Sequence, residues 1–110
     1  MNPTFTDIVK LLNTLSNGNA DDAPHGAFWV GVTRDQFVAI QTDNWGVNGP
    51  LITLGNPQAS NLYLALAGLA PFDGSGLPQM PDTGAAPSSR HASTTELQMV
   101  STWILHNAPA

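Results

Sequence analysis

Apolar residues return at three- and four-residue intervals in four separate stretches of the chain, and no sustained apolar–polar alternation competes with that rhythm. The first stretch, Thr4 to Ser16, repeats Phe5, Ile8, Val9, Leu12 and Leu15 on one face. Thr4 is placed to cap it, Asp7 to reach back and to sit at the positive helix end, and Asn17-Gly18-Asn19 to stop it. The second, Thr33 to Thr42, opens on a Thr33/Gln36 capping pair and turns Phe37, Val38 and Ile40 inward. The third follows Gly55-Asn56-Pro57, where Asn56 can cap and Pro57 suits the first helical position. Leu62, Tyr63 and Leu66 give it one apolar face, and Gly68 can end it left-handed. The fourth begins at Ser93-Thr94-Thr95-Glu96, buries Leu97, Val100, Trp103 and Ile104, and closes at Asn107-Ala108-Pro109. Four helices joined by long loops predict a small all-α domain.

The connections carry the remaining information. Between Ala20 and Val32 the chain is irregular, broken by Pro24, Gly26 and Gly31. Phe28 and Trp29 are too large to leave in water together and are expected to turn inward. Trp45 sits in an Asp43-Asn44-Trp45-Gly46 turn, where it either folds over the core or stacks a ligand. Leu69 to Ser93 reads as one long loop, and Pro81 to Ser89 is expected to be exposed and mobile.

Composition narrows the function more than the fold. The 110 residues fit one domain, 1–110, with a single core. Charged residues are only 10% of the chain, and the net charge is −5. Three basic residues cannot neutralise a run of phosphates, which argues against nucleic acid and against an anionic membrane surface. No stretch approaches the ~20 apolar residues of a membrane span, and Asp7 falls where a secretory leader would be apolar. There is no cysteine, so disulfides, thiolate metal sites and thioether-linked haem are excluded together.

Asp21, Asp22 and His25 are the one close acid–imidazole group in the sequence. They suit a divalent metal or a tuned proton-transfer histidine, and equally a solvated turn before Pro24. His91 lies beside Arg90 in polar sequence, and His106 falls at the negative end of the last helix. Ser60 and Ser75 have no partnered histidine, Glu96 is explained as a helix cap, and no glycine loop has a phosphate-cradle context. The chain is therefore expected not to be an enzyme.

One resemblance organises these parts. Asn48-Gly49-Pro50-Leu51-Ile52, Gly55-Asn56-Pro57, Ser60-Asn61-Leu62-Tyr63, Gly68, Met80-Pro81, Glu96, Trp103-Ile104 and Ala108-Pro109 follow one another as in the bacterial branch of class I cytochrome c, from about Thr4 to the end. The resemblance implies a haem-bearing loop after the first helix, Met80 as an axial ligand, first and last helices in contact, and a periplasmic or exported setting. It also exposes a departure. Where the family carries Cys-x-x-Cys-His, this chain reads Asp21-Asp22-Ala23-Pro24-His25. Segment 25–37 also resembles that of haem-free relatives. Three readings follow. With no cofactor, Phe28, Trp29, Trp45, Leu51 and Tyr63 fill the haem volume, and the domain is a binding module partnered with a redox protein or enzyme. Alternatively, His25 and Met80 ligate a non-covalent haem, or His25, Met80 and His91 hold copper in an electron-transfer protein.

Overall fold

The computed structural model describes residues 3–15, 29, 31–42, 49–69, 72, 80 and 91–110. Among these are four α-helices and no strand: α1 (Phe5–Leu15), α2 (Arg34–Val38), α3 (Asn61–Ala67) and α4 (Thr94–Leu105). A 3₁₀ turn at Pro57–Ala59 precedes α3. Both α1 and α3 pack against α4, which forms the centre. No described helix is long and apolar enough to cross a membrane.

The start of α1 uses Asp7 as expected: its Oδ2 accepts from the Thr4 N–H at 2.9 Å and from the Thr4 hydroxyl at 3.2 Å. The buried face is Ile8, Leu11, Leu12 and Leu15. Leu11 joins a stripe from which Phe5 and Val9 are only partly withdrawn from water. The stop at Asn17-Gly18-Asn19 lies outside the described residues.

The second helix is shorter than its sequence pattern predicts. Thr33 and Gln36 form the full capping box, but the helix ends at Val38. Beyond it the backbone enters an antiparallel pairing with 49–51. The Leu51 N–H donates to Ile40 O at 2.9 Å, and the Thr42 N–H donates to Gly49 O at 3.0 Å, around a Gln41–Pro50 bridge. β-Branched Ile40 and Thr42 suit extended backbone, and Pro50, with no N–H to give, is tolerated in so short a pairing. Asn61 then pins both segments to α3, its side-chain amide donating to Thr42 Oγ1 at 2.9 Å and Pro50 O at 3.2 Å. Long-range hydrogen bonds thus replace the helical ones that a reading of local pattern expects.

A similar substitution occurs before α3. Pro57 does open a helical turn, but a 3₁₀ one, and Asn56 makes no side-chain cap bond. Extended Ser60 breaks the run, and its hydroxyl, wholly buried, accepts from the Thr53 N–H at 2.8 Å. That hydroxyl also donates toward Asn56 O and Thr53 O. The Ser60 hydroxyl thus ties the loop from 53 to 56, while the cap bond expected of Asn56 is not made. At the other end Gly68 adopts φ +69 and the Leu69 N–H reaches Leu64 O at 3.0 Å, a Schellman closure that requires the glycine.

The last helix follows its sequence closely. Ser93 and Glu96 form a reciprocal capping box, and Val100, Trp103 and Ile104 are fully buried while Leu97 is partly so. Ser93→Ala should cost about 1 kcal/mol. A fall in Tm of roughly 4–8 °C is the expected readout in a thermal melt.

After α4 the chain is locked rather than merely stopped. Asn107 and Ala108 both take positive φ, at 65° and 53°, which side chains resist. Arg34 clasps them, its Nε donating to Ala108 O at 2.7 Å and Nη2 to Asn107 O at 2.8 Å. The Pro109 carbonyl accepts from the Phe5 N–H at 2.9 Å and from Trp103 Nε1 at 2.8 Å. Chain start, α2 and chain end thereby meet over one aromatic group. Phe5, Phe37 and Trp103 hold their ring centroids 5.3–6.3 Å apart.

Candidate functional site

Two apolar groups meet at α3. Leu62 and Leu66 enter the main core with Leu51, Ile52 and the inner faces of α1 and α4. Ala65 instead packs with Phe72, and Leu64 and Met80 lie half-buried against that pair. Met80 is fixed there by its backbone, its N–H donating to Ala65 O at 2.9 Å near the C-terminal end of the helix. A thioether held at the edge of an apolar cluster can pack or ligate a soft metal.

Trp29 belongs to the main core and is only 5% exposed. Its indole N–H donates to Asn13 Oδ1 at 2.8 Å, so the ring is laid against α1 with its polar edge satisfied. Inward placement of this aromatic was legible from its size. The Asn13 partner was not, because an exposed helical asparagine gives no sign of what will reach it. Leu51 is also buried, and Tyr63 is partly buried against the same core. Three of the five expected filling residues thus sit in or against one apolar interior. Phe28 and Trp45 lie outside the described residues.

His25, Asp21 and Asp22 lie outside the described residues as well. Of the proposed ligands, Met80 is half-buried, whereas His91 is exposed at the approach to α4. His106 is exposed at the C-cap of α4, where its position suits the helix's negative end. Among the described residues no group of three or more His, Cys, Asp or Glu side chains gathers in a form that could hold a metal ion.

Covalent haem does not fit the donor set, since a thioether link requires a thiol and the chain has none. Ser60 is equally unsuited to nucleophilic attack. Its hydroxyl is buried and committed to backbone groups of 53 and 56.

The residues that sequence reading missed are polar. Arg34 ties α2 to the segment after α4, and Asn61 ties α3 to Thr42, whereas Ser60 bonds backbone only four and seven residues before it. No local pattern marks them. Only their uncommon burial, seen in three dimensions, sets Thr42, Ser60 and Asn61 apart. No protein-family model matches the chain, and no curated protein or solved structure matches it either.

Proposed function

We propose that this chain is a haem-free, cytochrome c-like module that works by binding, as an interaction domain beside a redox protein or enzyme, with no catalysis of its own. The observation that carries the reading is Trp29. A large aromatic from the segment just after His25 is buried against α1, hydrogen-bonded and packed with Leu12, Leu15 and Leu66 in one core. Side chains taking interior volume in this way are what a scaffold without its prosthetic group needs, because an unfilled cavity is costly. The missing cysteines support the same reading.

A second reading keeps His25 and Met80 as ligands of a non-covalent haem or of copper, the latter with His91. It draws support from Met80, whose backbone is anchored on α3 while its side chain stays half-buried and reachable. Bound there, either group would supply one-electron transfer, and this chain's part would be the axial donors and the apolar enclosure. The visible absorption spectrum and metal content of the purified protein separate the two. The module reading expects no Soret band and no stoichiometric iron or copper. A Soret band, or bound copper that disappears in His25→Ala, would replace it with the carrier reading.

A further inference from the structure

Three successive carbonyls after α4 are held by donors from three different elements. Arg34 of α2 gives Nη2 to Asn107 O at 2.8 Å and Nε to Ala108 O at 2.7 Å. The Phe5 N–H at the start of α1 and the Trp103 indole N–H of α4 both donate to Pro109 O, at 2.9 and 2.8 Å. Polar contacts hold this strap, residues 107–110, more than apolar ones do. Of its four side chains only that of Ala108 is buried, and it is a single methyl. The backbone also works against the closed form. Asn107 tolerates its φ of 65°, whereas at Ala108 a φ of 53° crowds Cβ against the carbonyl oxygen. What lies beneath is opposite in character: Trp103 is the largest fully buried side chain, with Phe5 and Phe37 beside it.

We infer that residues 107–110 are a strap that opens as one unit while the remainder of the domain stays folded, and that the Arg34 fork is its latch. A segment that buries little apolar surface and is held by hydrogen bonds opens at low cost, since water replaces most of what each bond supplies. Strain at two adjacent residues persists only because surrounding contacts impose it, and it is released when they part. Arg34 is the deciding contact, because its guanidinium serves two of the three carbonyls in a fixed fork and brings its charge to both bonds. Its Nη1 donates to Asp35 Oδ1 at 2.9 Å, which orients the fork from the exposed side. Opening frees the Phe5 N–H, the Trp103 indole N–H and the guanidinium in one step. The open form thus presents an edge of the aromatic group that the closed form withholds. The inference is independent of whether haem or metal binds.

Hydrogen exchange followed by NMR, in a series of urea concentrations below the unfolding transition, tests it on the full chain. The Phe5, Asn107 and Ala108 amides and the Trp103 indole N–H should exchange together, faster than the Leu51 and Leu62 amides and with little dependence on urea. Arg34→Gln should speed the strap protons by roughly tenfold or more, through loss of two charge-assisted bonds. Ser93→Ala weakens α4 at its far end, so it should speed exchange at Leu51 and Leu62 and leave the strap protons unchanged. Strap protons that follow Leu51 and Leu62 in rate and in urea dependence overturn the inference, and that comparison needs no variant. So does a Ser93→Ala variant that speeds both groups alike, or an Arg34→Gln variant whose strap protons exchange at the wild-type rate.

Discussion

Trp103→Ala is expected to remove a large share of the stability that holds the domain folded. The ring is fully buried, is flanked by Phe5 and Phe37, and projects from the last turn of the helix on which α1 and α3 both rest. Truncating such a residue costs about 3–5 kcal/mol, against a total of roughly 5–15 kcal/mol for a domain of this kind. The larger part of the loss is the cavity. Pro109 O keeps its bond from the Phe5 N–H when the indole donor goes, so no buried carbonyl is orphaned. Trp103→Phe therefore separates the terms, with an expected loss of about 1–2 kcal/mol for the missing N–H and the smaller ring. Equilibrium unfolding in urea measures both. A loss under about 1 kcal/mol in the alanine variant would mean that the aromatic group is not the keystone of the core.

Trp29→Ala is expected to cost on the order of 3 kcal/mol or more. Here also the ring and its hydrogen bond are separable. Asn13 is exposed, so in Asn13→Ala the indole N–H can turn to water and the loss should stay near 1 kcal/mol or less. A large effect of Trp29→Ala beside a small effect of Asn13→Ala identifies apolar volume as the contribution. Equal and small effects in urea titrations would place Trp29 at the margin of the core and remove the main support for a filled interior.

How far the sequence could be read depended on the range of the interaction. The capping boxes of α2 and α4, the Asp7 contact before α1 and the glycine closure of α3 each join residues within a turn of one another, and all were legible. The apolar faces were legible for the same reason, since helical spacing decides which residues share a side. What failed was local pattern against distant partners. Residues 39–42 continue a helical rhythm, yet Gly49 and Leu51 offer them hydrogen bonds and the chain extends. Asn56 has the chemistry of a cap, yet its side chain makes no cap bond, and the buried Ser60 hydroxyl instead bonds backbone groups of 53 and 56 in the loop before the helix. Arg34 has no sequence signature for a contact with Asn107 and Ala108, because its partners are carbonyls, which every residue has. In the candidate site, size alone foretold that Trp29 would turn inward. No residue type could say whether Met80 packs or ligates, since a thioether suits both.

The proposed function requires that side chains, and not a prosthetic group, occupy the interior of the domain. Titration of the purified protein with haem, followed at the Soret band, tests it most directly. No saturable change beyond that of haem in buffer is expected, for the wild-type chain and for Met80→Leu alike. Stoichiometric uptake by the wild-type chain, lost in both His25→Ala and Met80→Leu, would contradict it.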